Sequence, residues 1–295
     1  MQALVSSSQY CSLSNTQERY DATDALPLLI IDTPTCFAVI SFQGAQLLEF
    51  QPKGDQPWLW LSPLANFRHG QAIRGGIPVC LPWFGVHQED PNKPKHGFVR
   101  DRIWQLSHID ESLDKLDIVF DFSYDGSEPA LFATAFSCQL RFCLDDALSI
   151  ELQLNNDSSE AQLFSWALHS YLAVNAIADT RISGLNKQHY LDNTQQLKTF
   201  MQAGHITFSG EVDHVYQACE SAQTLETHHH LTISGKHCPS CIVWNPGEDL
   251  ALQMQDVQQH FKDYVCVERG CSFEDSITLR PNQRFNSTMH IKKTA

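Results

Sequence analysis

Long hydrophobic runs are missing from this 295-residue sequence. The longest early apolar stretch, residues 25–31, contains Pro27 and is far too short to cross a bilayer. Basic residues are scarce. Twenty Lys and Arg stand against 34 Asp and Glu, a formal charge of −14. That balance argues against nucleic acid or an anionic membrane as the main partner, because both demand a cationic face. A small phosphorylated molecule stays open, since it needs only a local cluster of Arg or Lys. The first basic residue is Arg19, so the N-terminus lacks the charged segment that opens a secretion signal. Ten cysteines in a chain this long do not make a small disulfide scaffold. Cys138, Cys143 and Cys266 sit inside strand-like segments and read as small hydrophobes. A reducing, cytoplasmic setting is expected. Repeats, linkers and low-complexity runs are also absent, so one domain over residues 1–295 is expected, with no obligate protein partner implied.

Convincing helices are few as well. Short ones are expected over residues 14–24 and 63–67. Period-two alternation dominates instead. Leu116, Ile118, Phe120, Phe122 and Tyr124 alternate with Asp117, Val119, Asp121 and Ser123. Ile150, Leu152 and Leu154 alternate with Glu151, Gln153 and Asn155. Turn clusters such as Asp125-Gly126-Ser127 separate such segments. The pattern predicts an all-β fold, a large antiparallel β-sandwich of half-buried strands. The 42% of hydrophobic residues is enough for a sizeable core.

Residues 73–104 break the pattern. They hold Ile73-Arg74-Gly75-Gly76-Ile77-Pro78-Val79-Cys80, then Pro82-Trp83-Phe84-Gly85, then His96-Gly97-Phe98-Val99-Arg100 and Trp104. A glycine pair, several prolines and cations do not build a regular element. Glycine lets another group approach the backbone, proline stiffens it, and a rigid loop is a common place for binding residues. The plain alternative is an ordered connection with solvated arginines.

These motifs resemble the aldose 1-epimerase (galactose mutarotase-like) superfamily, and within it the D-hexose-6-phosphate mutarotase branch. Four further segments are similar to family motifs, in family order: residues 164–171 (FSWALHSY), 210–216 (GEVDHVY), 243–246 (VWNP) and 265–268 (VCVE). The resemblance implies a twisted super-sandwich in one domain. It also implies interconversion of the α and β anomers of an aldohexose 6-phosphate, glucose 6-phosphate first, with no cofactor and no metal. His169 takes the place of the general acid and Glu268 that of the general base. Asp213 matches the sugar-binding aspartate, His96 begins the loop that reaches the sugar, and Arg74 and Arg100 match the arginines around the phosphate. Lys95 stands where some members carry glutamine, and Arg269 follows the glutamate where proline is common.

Each residue also has a plainer reading. His169 can be a core histidine satisfied by a hydrogen bond. Alternation sets it with Ser165, Ala167 and Tyr171, opposite Phe164, Trp166 and Leu168, on one strand over residues 163–174. Glu268, on the face of Tyr264 and Cys266, can be the first solvated residue after a core strand. Asp213 can be a turn residue, and His96 can hold its own loop together. Lys95 is a third cation or a solvated lysine, and Arg269 alters loop rigidity or adds a cation near the site. The chemistry asks for a base on the anomeric hydroxyl and an acid on the ring oxygen. Guanidinium suits a phosphate because its forked donors meet two oxygens at once. Unperturbed pKa values of about 4.3 for Glu and 6.5 for His let carboxylate and imidazolium coexist mainly between them. Work at neutral pH therefore calls for a raised His169 pKa, which a nearby carboxylate can supply.

The histidines at 228–230 and 237, with Cys238 and Cys241, suggest zinc at first sight. Their spacing fits no established finger, and a polar hairpin leading into a strand over residues 241–244 is the expectation. The rivals are a mutarotase of unphosphorylated aldoses, a non-catalytic carbohydrate-binding β-sandwich, and a glycosidase. The last would ordinarily need a carboxylate pair rather than His and Glu.

Overall fold

A computed structural model describes residues 2–111 and 115–294. Among these, two eight-stranded antiparallel sheets, a four-stranded sheet and a two-stranded ribbon make up the β structure. The back sheet runs Arg181–Ser183, Gln223–Glu226, His230–Lys236, Arg284–Lys293, Leu148–Asn156, Phe136–Leu144, Leu116–Tyr124, Gln105–Glu111. Its strands show the predicted alternation. Phe136, Cys138, Leu140, Phe142 and Leu144 are buried while the residues between them are only half-buried. One face therefore meets the core and the other meets water.

The front sheet runs Lys198–Met201, His189–Asp192, Val212–Tyr216, Ser240–Asn245, Tyr264–Cys271, Trp166–Leu168, Val79–Cys80, with Tyr171–Ala173 also paired to Tyr264–Cys271. The two large sheets pack face to face. Trp166 meets Phe285 at 6.2 Å between ring centroids. Arg269 of the front sheet donates to Gln223 Oε1 of the back sheet at 3.0 Å. The four-stranded sheet, Cys11–Asn15, Pro27–Asp32, Cys36–Ser41 and Gln46–Pro52, closes one side of the sandwich, with Phe42 edge-on to Phe120.

Two expectations need correcting. The first concerns the segment over residues 163–174, which is not one strand. Gln162–Phe164 leaves to pair with Ile277–Leu279, and Trp166–Leu168 enters the front sheet. The ladder then stops. Ser170 N–H turns back to Leu168 O at 3.0 Å, and His169 N–H donates to Pro78 O at 3.0 Å. This tight turn takes His169 out of the regular pairing before Tyr171–Ala173 resumes it. The second concerns residues 63–67, which form a turn rather than a helix. Ser62 Oγ accepts Leu64 N–H at 3.0 Å and donates to Asp256 O at 2.7 Å, so a serine-based turn wins over the helix. The other short helix does form, over Thr16–Tyr20. It is capped by Asn15, whose side chain accepts Glu18 N–H, and ended by a left-handed Asp21.

The irregular loop is held by close backbone contacts at its glycines. A Cβ on Gly76 would lie 2.2 Å from Leu47 O, and one on Gly97 would lie 2.0 Å from Leu81 O. Both glycines have positive φ, +61° and +70°. The approach that the glycines permit is thus backbone on backbone, which fixes Arg74 and His96 beside them. The left-handed conformation alone costs a side-chain-bearing residue roughly 1–2 kcal/mol, and the contact with Leu81 adds to that. Gly97→Ala should therefore lose about 2 kcal/mol or more in urea unfolding. A variant as stable as the parent would show that this contact does not hold the loop.

Candidate active site

Strand register builds the site row by row. Asp213 lies opposite Trp244, Trp244 opposite Cys266, and Cys266 opposite Tyr171. In the next row Val215 lies opposite Ile242, and Ile242 opposite Glu268. Directly paired residues share a face, so these side chains line one side of the front sheet. Above them opens a cleft of about 970 Å³ that also takes in Arg74, Lys95, His96, Arg100 and His169. All seven residues singled out from the sequence therefore line one cleft.

His169 Nε2 stands 3.3 Å from Glu268 Oε1, and both side chains are buried, 8% and 1% exposed. Aromatic rings fix the imidazole. Tyr171 stacks on it at 4.8 Å and 10°, and Trp244 and His96 meet it edge-on at 5.9 and 5.5 Å. Tyr171 is fixed in turn. Its hydroxyl accepts from Arg74 Nη1 at 2.9 Å, while Arg74 Nε donates to Asp256 Oδ2 at 3.0 Å.

Burial opposes charge on both members of the pair. It pushes Glu268 well above the usual carboxylate range. Asp213 adds to that shift, and Lys95 and Arg100 oppose it. It pushes His169 well below the usual imidazole range, and Arg100, Arg74 and Lys95 push the same way. The raised His169 pKa expected from the sequence is thus reversed, because desolvation dominates and three cations act in the same direction. A single proton held between the two groups, with no net charge, is what such a site favours.

His96 has a left-handed backbone, φ +68°. Its Nδ1 accepts Gly85 N–H at 3.2 Å, which leaves the proton on Nε2 as a donor. Burial, with His169 and the cations, keeps its pKa well below normal, so it donates as a neutral ring. Asp213 belongs to the strand Val212–Tyr216 rather than to a turn. It accepts from Asn193 Nδ2 at 2.7 Å, and burial raises its pKa. Arg100 Nη2 donates to Lys95 O at 2.7 Å, and its buried Nε has no hydrogen-bond partner among the described residues. The same holds for His169 Nδ1 and Glu268 Oε2. Buried polar atoms left over in a cleft are capacity for a ligand. The side chain of Lys95 is exposed at the rim.

Arg269 is a correction. It lies inside the strand Tyr264–Cys271, points away from the cleft, and donates to Cys219 O at 2.7 Å and to Gln223. It neither loosens a loop nor adds a cation to the site. The histidines at 228–230 fall at a hairpin, but it joins Gln223–Glu226 to His230–Lys236, with His229 buried; the strand expected over residues 241–244 follows after a second turn, as Ser240–Asn245. Asp256, Asn193 and Glu211, to which the sequence drew no attention as site residues, also line the cleft. Cys266, expected as a small hydrophobe, is fully buried in the main core cluster, beneath the cleft rather than on its wall. Trp244 was within reach through alternation along Ser240–Asn245, the strand that pairs with the one carrying Glu268. Asp256 lies in a loop and carried no signal.

Residues 27–292 match the model of the aldose 1-epimerase family. A candidate glucose-6-phosphate 1-epimerase of Escherichia coli strain K12 is 31% identical over 256 residues, 85% of each chain. A similarly named protein of Cenchrus ciliaris is 32% identical over 270 residues, 87% of this chain and 81% of that one. Among solved structures, a candidate mutarotase of Salmonella typhimurium superposes with a TM-score of 0.86 at 27% identity, covering 98% of this chain and 95% of the other. A galactose mutarotase-like protein of Clostridium acetobutylicum, 15% identical with a TM-score of 0.75, shares the fold over 97% of this chain and the whole of its own. The fold is the galactose mutarotase-like β-sandwich, and the chain belongs to the aldose 1-epimerase family of mutarotase-type isomerases.

Proposed function

We propose that this protein interconverts the α and β anomers of an aldohexose 6-phosphate, glucose 6-phosphate before others. The observation that carries the reading is a buried His–Glu pair 3.3 Å apart in a cleft that also holds Arg74, Lys95 and Arg100. The names of the relatives support the same substrate class. Glu268 takes the proton of the anomeric hydroxyl while His169 gives one to the ring oxygen, and the C1–O5 bond breaks. The open aldehyde turns about C1–C2. The C5 hydroxyl then attacks C1, returning its proton to His169 as Glu268 protonates the carbonyl oxygen. One proton on the pair is enough for the whole cycle. His96 and Asp213 orient ring hydroxyls, and Arg100 with Lys95 and Arg74 receives the phosphate.

An unphosphorylated aldose is the second reading. Asp256 beside Arg74 favours it, since that carboxylate already balances one of the three cations.

His169→Asn and Glu268→Gln should each lower anomer exchange roughly 10²-fold or more while the fold persists. NMR exchange measurements on the folded variants check this, and near-native rates would sink the assignment.

The arginines differ in what they should do. A charge-assisted hydrogen bond contributes about 1.5–3 kcal/mol, which is roughly 10–150-fold. Arg100→Ala should lose that much efficiency on glucose 6-phosphate and little on glucose. Arg74→Ala should lose on both sugars, because Tyr171 beneath His169 loses its partner. Parallel losses on both sugars for Arg100→Ala would mean that it does not hold the phosphate.

The pH dependence follows from the cations. Arg100 and Lys95 weaken the hold of the pair on its proton. A bound phosphate dianion offsets them, so the proton is held more tightly in the complex. The alkaline limb of kcat should therefore lie at higher pH than that of kcat/KM. Coincident limbs would rule out this coupling.

A further inference from the structure

Cys266 has no part in the reaction proposed above, yet it lies on the cleft face between Tyr264 and Glu268, fully buried. One ligand atom each from His169, Cys266 and Glu268 falls within 4.8 Å of the others. We propose that these three side chains form a binding site for a thiophilic divalent cation such as Zn²⁺ or Cd²⁺, and that the bound ion blocks the acid–base pair.

Geometry is the first argument. Tetrahedral zinc with bonds of about 2.0–2.3 Å sets its ligand atoms roughly 3.3–3.7 Å apart. His169 Nε2 and Glu268 Oε1 already stand at 3.3 Å. Cys266 needs only a small movement to join them. His169 and Glu268 line the cleft with Cys266 buried beneath them, so three protein ligands leave a fourth, cleft-side position for water or a substrate oxygen.

Charge is the second argument. The pocket is desolvated, so it resists a lone charge of either sign. A dication held by one thiolate, one carboxylate and a neutral imidazole sums to zero. As the ion enters, the thiol proton and the proton shared by the pair leave to solvent, so atoms and charge balance. Ligand type is the third. Thiolate and imidazole favour zinc and cadmium, whereas magnesium and calcium prefer all-oxygen sets. Glu268 Oε2 and His169 Nδ1, buried and without partners among the described residues, show that the polar capacity of this spot is not used up within the protein.

The inhibitory half of the proposal rests on the acid–base reading of the pair, whereas the binding half does not. The test therefore reads them separately, on full-length protein without a histidine tag. Cd²⁺ titration should give a thiolate-to-cadmium charge-transfer band that saturates near one equivalent, and Mg²⁺ should give none. Cys266→Ala should abolish the band, and loss of the thiolate should weaken inhibition at least about 100-fold. Cys266→Ser serves the same purpose if the alanine variant does not fold. A wild-type protein without the band, or a band undiminished in a folded Cys266 variant, would overturn the site. A saturating band with turnover untouched would uphold the metal site and overturn the catalytic role of the pair.

Discussion

The structure turns on burying two titratable groups side by side without burying a charge. A lone carboxylate or imidazolium in a low-dielectric interior carries a penalty of several kcal/mol. His169 and Glu268 escape it by sharing one proton, and this works only if they stay in contact. The fold supplies that constancy. Glu268 sits in Tyr264–Cys271, a strand buried along its whole length and paired on both sides. His169 is held less regularly, in the turn where the ladder breaks, so it depends on Pro78 for its N–H and on Tyr171 for its ring. The stack continues through Tyr264 to Trp60, 4.1 Å apart, and locks the floor of the cleft to the loop carrying Arg74.

That dependence explains why an irregular segment can be part of a precise site. Residues 73–104 have little regular structure, and the only named elements within them are Val79–Cys80 and Val99–Asp101. Rigidity comes instead from backbone contacts too close for any side chain, at Gly75, Gly76 and Gly97, and from tryptophan donors. Trp83 Nε1 donates to Pro94 O, and Trp104 Nε1 donates to Val99 O, each at 2.9 Å. A tryptophan that meets its hydrogen bond on the backbone of its own loop fixes that loop while filling the core.

The sequence was most legible where one face of a strand is wet. The alternation at residues 116–124 and 150–155 predicted both strands. The buried face came out cleanly in Leu148–Asn156, whereas in Leu116–Tyr124 Asp117 and Val119 are buried too and Phe122 is only half-buried. Alternation misled at residues 163–174, because Trp166–Leu168 is buried on both faces and period two cannot reveal where pairing stops. The seven cleft residues were found through motif order, since 99 positions separate His169 from Glu268 and no local pattern joins them (268 − 169). Their protonation was not legible. A sequence shows that a carboxylate and an imidazole are present, but the direction of a pKa shift depends on how much water is removed, and that is a property of the folded cleft. Asp256 was invisible for a related reason: its meaning comes only from Arg74 lying 3.0 Å away, 182 residues earlier in the chain.

The arrangement of charge in the cleft carries a further consequence. The protein is acidic overall, and an anion approaching it is repelled except where Arg100, Lys95 and Arg74 gather. Arg100 and Lys95 lower the proton affinity of both His169 and Glu268, and Arg74 lowers that of His169. For a neutral sugar they are a handicap, since they deplete the protonated form of the pair without contributing any binding. For a phosphorylated sugar the same groups hold the ligand, and the ligand in turn cancels their effect on the acid. Arg74 is partly excused from this arrangement, because Asp256 neutralises it and turns it into a brace for Tyr171. The weight falls on Arg100, whose buried Nε is still without a partner among the described residues. A cleft built this way makes the strength of its acid depend on the charge of its occupant. Discrimination between a hexose and its phosphate can then arise in the proton transfer as well as in binding.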